Sequence, residues 1–289
     1  MTSASALSLE RPGDASQFDK AAGDFLRARE AENNLALGIV SGLVRPDARR
    51  YTAAPYFSVV RDGGRVAGAA LRLGLWLILA DGTARAALPL LIDDAIAAQP
   101  DTPGIVGPKD LARDAAAQWT ARTGVAARLN VAERIYRLER VVAPRSATGS
   151  ARLATDADRE LIASWLYAFA TEALPNESHT REAAQRNADG WIGGHAMWLW
   201  VDGEPVSMTG ASGRTPNGIR ISAVYTPPPK RRHGYASALV AAVSQAQLDS
   251  GLRYCFLYTD LANPTSNKIY QDIGYEPVCD VDQYSFVIG

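Results

Sequence analysis

Two Asp-Gly turns constrain this chain more than any other feature. The stretch "YFSVVRDGGRVAGAALRLG" reads as a strand, a tight Asp62-Gly63-Gly64 turn and a second strand, and "AMWLWVDGEPVSMTGAS" reads the same way around Asp202-Gly203. Asp-Gly between apolar runs predicts a hairpin because such turns need residues that tolerate positive φ. After each hairpin the same order of elements follows. In the first half it is a buried strand ("LWLILAD"), a helix ("ARAALPLLIDDAIAA"), a short strand ("GIVGP"), a helix ("KDLARDAAAQWTART") and a long extended run ("ARLNVAERIYRLERVV"). In the second half it is a strand over 219–226, a helix over 235–250 stopped by Gly251, a strand over 254–259, a helix over 264–273 and an extended run to 288. The two series lie roughly 140 to 150 residues apart, and internal duplication of one α/β unit accounts for both. Two unrelated α/β domains with similar punctuation are the alternative.

Each hairpin is preceded by helical periodicity. Apolar residues recur at helical spacing from 18 to 44 (Phe18, Ala22, Phe25, Leu26) and predict a helix that breaks before Pro46. In the second half "DADRELIASWLYAFATEAL" has an acidic first turn and an apolar face of Leu161, Trp165 and Phe169, and a more polar helical segment spans 179–191. The seam falls in "APRSATGSA", which is small, Pro- and Gly-containing and without apolar period. The predicted organisation is a frayed tail over 1–14, a first domain over 15–143, a linker over 144–150 and a second domain over 151–289. The fold class is α/β, a mixed sheet flanked by helices, twice in tandem.

Charge and composition exclude several functions. A formal net charge of -1 sets up no global field toward nucleic acid or an anionic membrane, so any anion site must be local. The chain has no apolar run near the ~18 residues of a membrane span, and "MTSASALSLE" lacks the basic start and apolar core of a leader, so a cytoplasmic location is expected. Cys255, Cys279, His179, His195 and His233 have no metal-ligand spacing, and no metal is expected. Oligomeric state is not legible.

The local anion site is "VYTPPPKRRHGYAS". A strand runs through three prolines and the cluster Lys230, Arg231, Arg232 into Gly234, where an apolar helix begins. The first N–H groups of a helix have no intrahelical acceptor and point, with the positive end of the macrodipole, at one spot. Gly234 and the small Ala236 would let an anion reach that backbone. The spacing is neither the dinucleotide G-x-G-x-x-G nor the P-loop pattern, so a different diphosphate ligand is required. Taken alone, the same residues could form a solvated basic loop, and "PPP" a stiff polyproline connector.

A second motif supplies the context. Arg231-x-x-Gly234-x-Ala236 resembles the R/Q-x-x-G-x-G/A signature of the GNAT superfamily of acyl-CoA-dependent N-acyltransferases, and "NPTSNKIY" matches its N-x-x-S/A-x-x-x-Y pattern through Asn263, Ser266 and Tyr270. The resemblance covers 151–289; the first half resembles the fold only and carries neither motif, as a degenerate copy would. It implies two tandem GNAT-like domains and an N-acetyltransferase that moves an acetyl group from acetyl-CoA to a primary amine, on a small molecule or a peptide, by direct attack in a ternary complex. By the same resemblance the backbone of Arg232, His233, Gly234, Tyr235, Ala236 and Ser237 would cradle the pyrophosphate of coenzyme A, with Arg231 and Arg232 adding charge. Val224, Tyr225 and Thr226 would offer main-chain groups to the pantetheine arm, Asn263 would bond it, and Ser266 would lie near it. Tyr270, two helical turns after Asn263, would protonate the departing thiolate.

The base is less defined. Some members of the superfamily carry a glutamate early in the strand before the loop, where this chain has Arg220 and no acid. Glu172 and Asp260 remain as candidates, Asp260 equally as the cap of the following turn, and a water chain is a further route. Trp198 and Trp200 are expected in the core, and Trp165 or Trp191 near the acceptor pocket. The rival reading is a CoA-binding sensor or scaffold that kept the loop and lost the chemistry.

Overall fold

The computed structural model describes residues 7–44, 54–74, 76–145, 147–173 and 179–287. The first half contains β1 (Leu7–Glu10), α1 (Ala15–Arg27), α2 (Asn34–Leu43), β2 (Tyr56–Asp62), β3 (Arg65–Arg72), β4 (Leu77–Leu79), α3 (Leu88–Ala98), β5 (Gly104–Pro108), α4 (Lys109–Thr123) and β6 (Ala126–Leu138). The second contains β7 (Ser150–Leu153), α5 (Arg159–Ala173), α6 (Arg181–Gly193), β8 (Met197–Asp202), β9 (Glu204–Ser212), β10 (Gly218–Tyr225), α7 (Tyr235–Asp249), β11 (Tyr254–Asp260), α8 (Pro264–Ile273) and β12 (Glu276–Val287). The element order is therefore the same in both halves, and the class is mixed α/β with helices against a large sheet.

The sheet is continuous. Its twelve strands run β1-β2-β3-β4-β5-β12-β6-β11-β10-β9-β8-β7. Each half contributes its first five strands in sequence order and then exchanges its sixth. β12 lies between β5 and β6, pairing with both, and β6 lies between β12 and β11. Every contact in this central quartet is antiparallel, so β5 and β11 run in opposite directions and the ends of the two halves open toward opposite edges of the sheet. A strand shared in this way has no free edge, and neither half's sheet is complete without the other's last strand.

The helices bury four apolar clusters, two per half. α1 and α2 cover Phe57, Leu71 and Val106, while α3 and α4 cover Val60, Ile105 and Phe286 from the other side. In the second half α5 and α6 cover Leu199 and Met208, and α7 and α8 cover Ile221, Leu257 and Tyr136. Trp200 is buried and Trp198 packs beside it in the α7 cluster, as expected for core residues.

Three expectations need correction. Residues 7–10, read as part of a frayed tail, form β1 and pair with Val59 to Asp62 of β2, because Leu7 and Leu9 find an apolar cluster to pack on; residues 1–6 lie outside the described residues. The single helix expected over 18–44 is two, α1 and α2, separated by a turn in which the buried Asn33 uses its amide to bond Leu26 O, Asp81 O and Asp81 N; Pro46 lies outside the described residues. The segment expected as a linker is pinned at its end: Trp200 Nε1 donates to Thr148 O at 2.7 Å and Thr148 Oγ1 to Asp202 at 2.6 Å. Gly149 there has φ 101, and a Cβ on it would sit 2.2 Å from Val201 O, so only glycine fits.

Candidate active site

The opening in the second half follows from how little of β10 and β11 is paired. Gly218, Ile219 and Arg220 pair with Tyr254, Cys255 and Phe256, and beyond them the two parallel strands continue without each other to Tyr225 and Asp260. β10 is deformed at the same level: its register against β9 shifts between Ser222 and Tyr225, and Ala223 has φ 52. Such a conformation costs of order 1 kcal/mol or more and persists only where its surroundings enforce it. Here Thr209 Oγ1 donates to Ser222 O and Ser207 Oγ to Tyr225 O, both at 3.1 Å, holding the two sides of the bulge. Val224 is left with no ladder partner on β9 or β11, so its N–H and C=O are available to an extended ligand laid alongside as an added strand.

The loop after β10 turns through the three prolines into a short 3-10 turn over Pro228–Lys230. Two left-handed residues follow, Arg232 at φ 70 and Gly234 at φ 81, and α7 begins at Tyr235 with no side chain capping it. The first-turn amides of Tyr235, Ala236 and Ser237 therefore keep their capacity for an anion. Around them the loop is braced. Lys230 pairs with Glu204 at 2.5 Å, His233 Nδ1 lies 3.2 Å from Lys230 O with its ring stacked on Tyr235, and Tyr235 OH donates to Asp202 at 2.7 Å. The bond from Thr148, and after it the one from Tyr235, hold the Asp202 carboxyl below the usual carboxylate range. Arg231 is committed inward: its Nε donates to Thr226 O at 2.8 Å and its Nη2 to Glu172 at 2.6 Å. Arg232 is exposed and makes no ion pair among the described residues.

Glu172, a sequence candidate for the base, is thus engaged. It accepts from Arg231 and also from Tyr225 OH at 3.1 Å, an arrangement that positions those two side chains. Trp165 packs against Tyr225 with ring centroids 6.3 Å apart. Trp191 lies on Gly210 of β9, where a Cβ would come within 2.4 Å of the indole.

Across the opening, α8 begins with Asn263 as its cap. Asn263 Oδ1 accepts from Ser266 N at 3.0 Å, leaving the Nδ2 group without a protein partner among the described residues. Asp260 Oδ1 accepts from Ala262 N at 2.8 Å, as a turn cap does. Tyr270, two turns along α8, is buried against Tyr275, and burial pushes its phenol up to about 12. Its hydroxyl makes no hydrogen bond to a described residue, and at neutral pH it keeps its proton.

One charged residue of the opening was not singled out in the sequence. Glu133 lies on β6, directly across from Asp260 at the end of β11. Directly opposed residues of an antiparallel pair share a face. Alternation along β6 defines that face: Tyr136 turns toward α8 and donates to Asn267 at 3.0 Å, and Arg134 turns to Asp280 at 2.6 Å, so Glu133 and Ile135 face the other way. The same side carries Tyr258, whose OH accepts from Asn34 Nδ2 of α2 at 3.3 Å. Burial, and secondarily the like charge of Asp260, raise the Glu133 carboxyl to about 7 against the opposing pull of Arg220. Arg220 is itself lowered by burial and has an Nη1 with no hydrogen-bond partner. Glu133 belongs to no local motif and sits in the other half of the sequence; an acid within an extended run was its only signal.

Residues 159–275 match the model of the acetyltransferase (GNAT) family. No curated protein sequence matches the chain. Among solved structures, a GCN5-related N-acetyltransferase from Sphaerobacter thermophilus superposes with TM-score 0.60 at 17% identity, covering 96% of this chain and 94% of that one. One from Kribbella flavida gives TM-score 0.58 at 17% identity, covering 91% and 96%. A tandem GNAT protein from the clavulanic acid biosynthesis pathway gives 0.55 at 16%, covering 97% and 98%. The chain thus has the fold of these proteins over nearly its whole length, and the stretch that matches the acetyltransferase (GNAT) family, residues 159–275, is the one that contains the β10–β11 opening.

Proposed function

We propose that the second half transfers an acetyl group from acetyl-CoA to a primary amine of a small molecule or peptide, by direct attack in a ternary complex. The observation that carries this reading is the meeting of two unfilled backbone features at one opening: the unpaired Val224 on β10 and the uncapped start of α7 behind Gly234. A pyrophosphate takes the amides of Tyr235, Ala236 and Ser237, with Arg232, which makes no ion pair among the described residues, as a cation beside them. The pantetheine arm lies along Val224 and reaches the Asn263 amide. Residues 227–229 keep the two contacts at a fixed spacing, since consecutive prolines form a stiff connector.

In the transfer the amine nitrogen attacks the thioester carbonyl carbon, the C–N bond forms, the C–S bond breaks, and the sulfur leaves with the bonding pair. The Val224 N–H donates to the carbonyl oxygen as negative charge develops on it. Tyr270 supplies a proton to the thiolate and is made good by the proton the nitrogen sheds as the adduct collapses to the amide; a phenol that stays protonated at neutral pH suits that step. Glu172 and Arg231 act as a pair that fixes the loop against α5.

The test is free-thiol release from acetyl-CoA with a panel of amines, amino acids and peptides, run beside direct binding of CoA. Amine-dependent thiol release is the expected result. Binding of CoA with no release across the panel would assign the chain to the sensor class instead.

A further inference from the structure

We propose that Glu133, carried into the second half's opening by the exchanged strand β6, is the proton acceptor for the attacking amine, so that one active centre is built by both halves of the chain. The inference rests on the acyl-transfer reading and supplies the base that Glu172 and Asp260, both engaged elsewhere, leave missing.

Position comes first. Glu133 is opposite Asp260, the residue at which β11 ends beside its divergence from β10. It faces the side of the sheet that carries α2, away from α7 and its phosphate-accepting amides. A thioester entering along Val224 and Asn263 is therefore approached from the Glu133 side by a second substrate. The residue keeps partial exposure, through which a ligand reaches it, while its carboxyl is drawn out of water. No hydrogen bond or ion pair from a described residue occupies that carboxyl, whereas acids so placed are normally paired.

The charged and titratable groups around it are consistent with this role. From β11 come Asp260, which disfavours the anion, and Tyr258; from β10 comes Arg220, which favours it. From α2 comes the neutral Asn34. On β12 the residue directly across is Val281, and its neighbours Asp280 and Asp282 turn to the opposite face, toward Arg134 and Lys109. A carboxyl lifted into the neutral range is matched to taking a proton from an ammonium group near physiological pH. The proton passes from R-NH3+ to the Glu133 carboxylate and the free amine attacks; as the C–S bond breaks the nitrogen sheds its second proton, which replaces the one Tyr270 gives to the thiolate, and Glu133 returns its own proton to solvent after product leaves.

The experiment uses the full chain with acetyl-CoA and, in turn, spermidine, tryptamine, lysine and glycinamide, following kcat/KM against pH for the amine turned over fastest. Wild-type activity falls on the acid side as a group with pKa about 7 becomes protonated. Glu133→Gln lowers kcat/KM by roughly 10²- to 10⁴-fold, abolishes that acid limb and leaves CoA affinity within about twofold; Glu133→Asp restores part of the rate. Should Glu133→Gln fail to fold, Arg220→Gln gives an independent reading: loss of the opposing cation moves the acid limb to higher pH. A Glu133→Gln protein with wild-type rate and an intact acid limb, or a limb that Arg220→Gln does not move, overturns the assignment while acyl transfer itself stands. Absence of amine-dependent thiol release in the wild type removes both.

Discussion

The two halves present openings of the same construction and opposite chemistry. In each, a parallel strand pair is short, two residue pairs for β4 and β5 and three for β10 and β11, and a helix begins where the strands part. In the first half that opening is a cleft of about 700 Å³. Its arginines are already spent on carboxylates: Arg29 on Asp81, Arg134 on Asp280, and Arg85 on Asp114 of α4. The start of α3 is closed as well, since the Leu88 N–H bonds back to Arg85 O and Pro89 has no N–H to give. In the second half α7 opens behind Gly234 with no proline in its first turn, and Arg232 has no carboxylate partner among the described residues. The frame is common to both halves; what separates them is whether the helix that follows the first strand of the parallel pair starts with unsatisfied backbone amides, as α7 does and α3 does not.

The exchange of β6 and β12 makes the halves mutually dependent, and breaking it has the largest expected effect. A chain stopped after Gly274 lacks β12 and leaves unpaired edges on both β5 and β6. It is expected to lose soluble, cooperatively folded protein altogether, read by yield and thermal unfolding; a folded monomer would show that the shared strands are dispensable.

Next comes the loop. Gly234→Glu puts a side chain and a negative charge where φ is 81 and an anion is to sit, and is expected to weaken CoA binding by at least ~100-fold by calorimetry, the value of about 3 kcal/mol. Tyr270→Phe keeps the ring packed on Tyr275 and removes only the hydroxyl, so turnover drops by roughly 10²-fold while CoA affinity holds. The smallest effect is expected from the first half: Arg85→Ala, which breaks the pair with Asp114, leaves CoA affinity within about twofold. A large effect there would mean that the first cleft takes part in binding the same ligand.

Much of this was legible in the sequence. Both Asp-Gly hairpins, the strand-loop-helix at Gly234 and the helix from Pro264 are short-range signals, fixed by turn chemistry and periodicity within a few residues. The bracing of the loop was not legible, because Asp202, Glu204 and Glu172 reach it from elements 26 to 59 residues away. Arg231, expected on the pyrophosphate by resemblance, bonds Thr226 O and Glu172 for the same reason: the partner of an exposed arginine depends on which helix faces it. The strand exchange is the extreme case. β6 and β12 read correctly as extended runs, but periodicity carries no record of which strand lies alongside, and so Glu133 could not be assigned to the second half's opening.

The number of CoA molecules bound per chain tests the central claim most directly. Titration of the wild-type protein with CoA is predicted to give one site per chain, absent in Gly234→Glu and unchanged in Arg85→Ala. Two sites, or one site that survives Gly234→Glu and disappears with Arg85→Ala, would contradict the assignment of the cofactor to the second half.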